Sequence, residues 1–174
     1  EAQLIRFHPK SNTGKNKIFV DLGGGSTEFF LRDHSGVEIR SFQLGAVRNM
    51  LKKDHQAEWM RLEKWLATIQ PKKKLIGIGG NIRSFLQVHN KKELNIKEFN
   101  KKIKEFSRLS TQEKISKYQL SPDRADVIDH ALAIFKFISE HLFVEKITST
   151  KWGVSDSIGV KLFHEIYSNK INIS

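Results

Sequence analysis

Asp21 and Glu28 flank three consecutive glycines in the stretch Val-Asp-Leu-Gly-Gly-Gly-Ser-Thr-Glu, residues 20–28. Two carboxylates brought together across a turn can hold a hard cation or polarise a water. Glycines let backbone N–H groups approach an anion with no Cβ in the way, and successive N–H groups form a nest for phosphate oxygens. Ser26 and Thr27 add hydroxyl donors beside Gly23, Gly24 and Gly25. Ile18, Val20 and Leu22 alternate with Lys17, Phe19 and Asp21, and Thr27 to Arg32 reads as a second strand, so the segment is a strand–turn–strand device. If the turn centres on Gly24 and Gly25, Asp21 and Glu28 become cross-strand partners, with Cβ atoms roughly 4.5–5.5 Å apart. Like charges so placed repel unless something neutralises them, and a magnesium ion shared between carboxylate, water and phosphate would do so. The plainer reading of this segment alone is a glycine-rich hairpin with two solvated acids.

A second glycine feature, Gly-Ile-Gly-Gly-Asn-Ile-Arg at residues 77–83, runs from a short buried-type strand into a helix. Gly79, Gly80 and Asn81 then offer N–H groups at a helix N-terminus, a natural anion site, and Arg83 adds a cation in the first turn. Tight strand–helix packing explains these glycines about as well. Neither feature completes the dinucleotide fingerprint, because Glu28 and Ile82 occupy its last glycine positions, and there is no Gly-Lys-Ser/Thr phosphate loop. Ser26 lacks a nucleophile-elbow context, since Glu28 also breaks Gly-x-Ser-x-Gly. His34, His55, His89, His130, His141 and His164 form no metal-binding pattern, and Arg48 is read equally as a phosphate contact or a surface ion pair.

The elements that must position these residues follow from periodicity. Strands are predicted at Lys17–Leu22, Thr27–Arg32, Val37–Phe42, Lys74–Gly80 and Lys146–Ser149; the first three, joined by short turns, should be antiparallel. Helical patterns run from Gly45 to about Lys53, His55 to Ile69, Ile82 to Val88, about Ile96 to Leu109, and about Val154 to Tyr167. The strongest helix begins at Ser121-Pro122-Asp123, an N-cap, a first-turn proline and an acid complementing the dipole. Trp59 and Trp65 fall on one helix with Met60, Leu62 and Leu66, where core or lobe-contact roles are expected. The order predicts an α/β fold: a mixed five-stranded sheet, three antiparallel strands first, with flanking helices.

At 174 residues with 39% apolar content the chain suits one compact domain, or one lobe of a larger protein. No apolar run is long enough to span a membrane. The absence of cysteine excludes disulfides and cysteine-based zinc sites, which fits a reducing cytoplasm. The net charge of +11 favours a polyanionic partner. Much of it lies in Lys72–Lys74 and in the run 91–108, where Leu94, Ile96, Phe99, Ile103 and Phe106 are spaced for a helix face. Those lysines read as the solvated side, and no nucleic-acid motif accompanies them. The start at Glu1, with neither an initiator Met nor a leader, reads as a cut boundary.

Taken together, these segments resemble the exopolyphosphatase and guanosine pentaphosphate phosphohydrolase family, within the actin, sugar-kinase and heat-shock-chaperone ATPase superfamily. The carrying motifs are Glu-Ala at Glu1, the Asp21–Glu28 loop, Ser-Phe-Gln-Leu-Gly-Ala-Val-Arg at 41–48, the Gly79-Gly80 segment and Arg-Ala-Asp at 124–126. The resemblance implies a ribonuclease-H-like lobe, residues 1–174, forming the C-terminal part of a two-lobed cytoplasmic phosphohydrolase. It implies that Glu1 activates the attacking water, that Asp21 and Glu28 organise metal and water, and that Gly23 to Ser26 bind terminal phosphates. The implied reaction is metal-assisted hydrolysis of a phosphoanhydride. The substrate would be polyphosphate or guanosine pentaphosphate, with the missing N-terminal lobe and a second copy of the chain as partners. Asn81 stands where the family has Thr; Ser155 and Asp156 stand where it has Arg and Glu. A non-catalytic polyanion-binding domain and another nucleotide-binding ATPase lobe remain the rival readings.

Overall fold

The structure is a computed structural model that describes residues 16–33, 36–152, 156 and 158–163. Glu1 and Ser155 lie outside these residues, as does half of the helix expected at 154–167; 156 and 158–163 are helical.

Strands β1 (Lys17–Leu22), β2 (Thr27–Asp33) and β3 (Gly36–Phe42) form the expected antiparallel meander. Helices α1 (Ala46–Met50) and α2 (Gln56–Leu66) follow, then β4 (Lys74–Ile78), α3 (Gly80–Val88), β5 (Glu93–Asn95), α4 (Ile96–Phe106), α5 (Thr111–Tyr118), α6 (Pro122–His141) and β6 (Lys146–Ser149). The sheet order is β3-β2-β1-β4-β6-β5; β1, β4 and β6 are mutually parallel, and β5 pairs antiparallel with β6.

The sheet therefore has six strands rather than the five expected. The added strand, β5, opens the lysine-rich run that reads as one helix face. Leu94 pairs with Ile147 in the sheet, and the Asn95 side chain accepts a hydrogen bond from the Glu98 N–H to start α4 one residue later. Three residues are too few to display a period of two, so the helical spacing of the apolar residues after them dominated the pattern. Helix α5 is likewise absent from the sequence expectation. Its capping box, in which Ser110 and Glu113 satisfy each other's backbone N–H groups, is the signal that marks it.

Ile18, Val20, Leu22, Phe29, Leu31, Leu75 and Ile147 line one sheet face and pack against Leu62, Leu66, Phe85, Leu132, Phe135 and Ile138 from the helices. Trp65 stacks edge-on against Phe29, so it is a core residue. Phe19, Phe30, Ile76 and Ile78 form a smaller buried cluster on the opposite face. Gly77 is where strand–helix packing sets the residue: a Cβ there would lie 2.7 Å from Ile82 Cγ2. Because β1 and β4 are parallel neighbours, both glycine segments emerge at the same end of the sheet, where α6 also begins.

Candidate active site

At the carboxyl ends of β1 and β4 lies a cleft of about 510 Å³. Ligands of open α/β sheets bind outside these strand ends. Asp21, Gly23 and Gly24 line it from β1 and its turn, Gly79, Gly80 and Asn81 from the β4–α3 junction, and Asp123, Arg124, Asp126 and Val127 from α6. Ala46, Val47 and Met50 of α1 form its apolar wall. Two other cavities, at Leu66–Pro71 with Phe143 and at Ser84–Val88 with Tyr118–Ser121, contain neither Asp21 nor the three-glycine turn.

The first glycine turn is tight, with the Gly23 N–H donating to the Ser26 carbonyl over 3.0 Å. Its carbonyls are committed elsewhere. Gly23 accepts from the Ala46 N–H, Gly24 from the Val47 and Arg48 N–H groups, and Gly25 from Arg48 Nε at 2.9 Å. Arg48 therefore braces the loop, with Nη2 on Gln43 Oε1, and makes no ion pair with a described carboxylate. With carbonyls drawn toward α1, the N–H groups of Gly24, Gly25 and Ser26 have no acceptor among the described residues, which leaves a donor surface suited to an anion. None of the three glycines adopts a left-handed φ; what they provide is access and closeness, not unusual dihedrals.

Thr27 departs from its expected part in anion binding. Its side chain is fully buried, and its hydroxyl donates to the Leu44 carbonyl at 2.6 Å, so it ties the loop to the segment before α1.

Asp21 and Glu28 are register partners across the β1–β2 ladder. Asp21 is half-buried at the cleft, whereas Glu28 is only 6% exposed and accepts a 3.2 Å hydrogen bond from Ser41 Oγ. The solvated-hairpin reading thus fails for Glu28. An acid this buried needs compensation, and one neutral hydroxyl supplies part of it.

In the second glycine segment Gly79 has φ +101°, a left-handed conformation that favours glycine, and a Cβ there would be 3.7 Å from Asp21 Oδ1. The Asp21 carboxylate and the α3 N-terminus thus share one corner of the cleft. Arg83 is half-buried and is not among the cleft-lining residues. The guanidinium at the cleft belongs instead to Arg124, which donates to Asn81 Oδ1 at 3.0 Å. Arg124 is the residue that reading each glycine segment by itself passes over, although it heads the Arg-Ala-Asp motif.

Behind the cleft, α6 is tied to α1 and α2. His130 Nδ1 lies 2.6 Å from Asn49 Oδ1, and Asn49 Nδ2 and Trp59 Nε1 both donate to Asp54 Oδ2 at 2.8 Å. Burial pushes the Asp54 carboxyl up, but the hydrogen bonds from Trp59 and Asn49 outweigh it and hold the group below the usual carboxylate range.

A meander joined to parallel strands, with a glycine turn after β1 and a cleft over the parallel ends, defines an actin-like ATPase-type fold. The model of the Ppx/GppA phosphatase family matches residues 1–165, and the chain belongs to that family. Among solved structures it is similar to an exopolyphosphatase from Cytophaga hutchinsonii, with a TM-score of 0.79, 20% identity, and 95% of this chain and 63% of that chain covered. It is also similar to the Ppx/GppA phosphatase of Aquifex aeolicus, with a TM-score of 0.71, 23% identity, and 92% and 60% covered. No curated protein matches significantly. The chain thus spans less than two thirds of these solved relatives' length. No described helix is long and apolar enough to cross a membrane.

Proposed function

We propose that this chain is the phosphate-binding lobe of a cytoplasmic enzyme that hydrolyses the terminal phosphoanhydride of inorganic polyphosphate or guanosine pentaphosphate. The observation that carries the reading is the meeting of two glycine segments and a half-buried carboxylate in one cleft, with the first turn's N–H groups turned outward. In this reading the amides of Gly24, Gly25 and Ser26 and the α3 N-terminus at Gly79–Asn81 receive phosphate oxygens, while Asp21 and Glu28 hold the metal. Hydrolysis of this kind asks the protein mainly for positioning and charge neutralisation.

Magnesium fits the donors present. Asp21 lines the cleft and its register partner Glu28 lies buried beside it, both offering hard oxygen ligands, and no group of three metal-binding side chains occurs among the described residues. The ion's remaining ligands would then be water and phosphate oxygens, the usual pattern for magnesium at phosphate sites. When bound, it would neutralise charge on the reacting phosphate. Glu1, by its family resemblance, is assigned the activation of the attacking water. The rest of the cleft is assigned to the length of chain that the solved relatives have in addition, and a second copy of the chain is proposed as a separate partner.

Phosphate release from polyphosphate and from guanosine pentaphosphate, measured on the full-length protein with magnesium, tests the reading. Release that collapses in Glu1→Gln without loss of folding supports it. Binding of polyphosphate with no release by the full-length protein would establish the non-catalytic alternative, which the Ser155 and Asp156 substitutions favour.

A further inference from the structure

Arg124 lies flat on Gly80. A Cβ built on Gly80 would stand 2.4 Å from both Nη1 and Nη2 and 2.6 Å from Cζ, so the guanidinium occupies the space that only glycine leaves open. It is held there by Asn81, which is 7% exposed and accepts from Nη1 at 3.0 Å. Among the described residues Arg124 makes no ion pair, and its side-chain hydrogen bond is that to Asn81, although its charge acts on the Asp123 carboxylate at the same cleft. The same side chain borders the active-site cleft on one side and a polar cavity of about 370 Å³ on the other.

The geometry points to Asn81 as a positioning residue and Arg124 as the phosphate-binding residue it positions; this rests on the phosphohydrolase reading above. An arginine has five donors in a planar fork, and one of them, fixed by Asn81, sets the plane of the rest. With that plane laid over Gly80, the remaining donors are available at the start of α3, where the backbone N–H groups also favour an anion. Asn81 then contributes to anion affinity through Arg124 rather than by direct contact. The acceptor this requires is the Asn81 side-chain oxygen, and a shorter side chain at that position would have to reach the guanidinium from farther back.

Calorimetric titration of the full-length protein with inorganic tripolyphosphate, in parallel with turnover of polyphosphate, tests this. Arg124→Ala and Asn81→Ala should each weaken tripolyphosphate binding by about 10- to 100-fold, the range for losing a hydrogen bond to a charged group. The Asn81→Ala/Arg124→Ala double variant should bind no worse than Arg124→Ala alone. Arg124→Lys, which keeps the charge but not the fork, should recover only part of the affinity. If Asn81→Ala is poorly folded, Asn81→Leu serves, because it keeps the side-chain volume at this buried position while removing the acceptor for Arg124, and it should weaken tripolyphosphate binding only while Arg124 is present. Additive losses in the double variant, or wild-type binding in Arg124→Ala, would overturn the proposal while leaving the phosphohydrolase reading standing. A wild-type protein that binds no tripolyphosphate would overturn both.

Discussion

Gly45 stands directly against Gly24: a Cβ on Gly45 would lie 2.5 Å from both the carbonyl carbon and oxygen of Gly24. The clash is with backbone, which cannot swing aside as a long side chain can. Gly45→Ala should therefore push the glycine turn away from α1 and loosen the carbonyl bonds that orient it. The expected loss is about 1–3 kcal/mol of stability, as for overpacking, with weaker phosphate binding. A denaturation curve together with tripolyphosphate calorimetry on the same variant checks both, and an unchanged midpoint would show that the turn is more pliant than its packing implies.

Glu28→Gln separates charge from shape. The amide can still accept from Ser41, so the fold should persist, but the second carboxylate of the Asp21–Glu28 pair is gone. In the full-length protein the expected result is a loss of magnesium-dependent phosphate release of about 100-fold or more, comparable to removing other electrostatic contributors to catalysis. Activity within a few fold of wild type would remove Glu28 from the reacting centre.

Lys114 reports on stability away from the cleft. Its side chain is 3% exposed, lies over the Phe106 ring, and bonds to Asp129, whose second oxygen is buried without a partner. Asp129→Asn leaves the buried ammonium an amide acceptor but no countercharge. Because Asp129 itself is 36% exposed, the cost should fall near about 1–3 kcal/mol, below the range for a fully enclosed pair. Lys114→Met in the Asp129→Asn background should return much of it. Urea midpoints for the three proteins provide the comparison, and a double variant no better than Asp129→Asn would refute the assignment.

His89 should make the fold sensitive to mild acid. Burial, followed by the nearby Lys102 charge, holds its imidazole below the ordinary value of 6.5, and Nε2 is buried without a partner among Phe85, Phe106 and Tyr118. The folded pKa is depressed, so the unfolded chain takes up more protons near that pH. Its contribution is thus fully present above about 6.5 and declines as pH falls toward the folded value. Urea midpoints at pH 7.5 and pH 5 should differ less in His89→Phe than in wild type; equal pH dependence would rule this out.

The site was legible in the sequence wherever its residues are neighbours along the chain. Alternation in Lys17–Leu22 and Thr27–Arg32 predicts the β1–β2 ladder, and the register of Asp21 against Glu28 follows from the turn between them. What could not be read is what depends on distant segments. That Thr27 would turn inward to Leu44, or Arg48 reach back to Gly25, depends on how α1 docks. Arg124 arrives over Gly80 from a helix far along the chain, and no local period announces such a contact. β5 was hidden for a related reason: it is a strand because β6 offers it an edge, and its three residues carry little preference of their own.

The cleft walls come from β1, α1, the β4–α3 junction and the start of α6, so its earliest and latest parts are separated by most of the described chain. During synthesis the glycine turn leaves the ribosome long before Arg124 does. A nascent chain can pair β1 with β2, yet it has no guanidinium over Gly80 and no wall from Val127 until α6 has formed and docked. Long-range contacts of this kind are slow to close. Under the proposed reading, a phosphate chain would therefore meet its full set of contacts only once α6 has docked, and the order of the polypeptide itself would limit premature binding by a half-made protein.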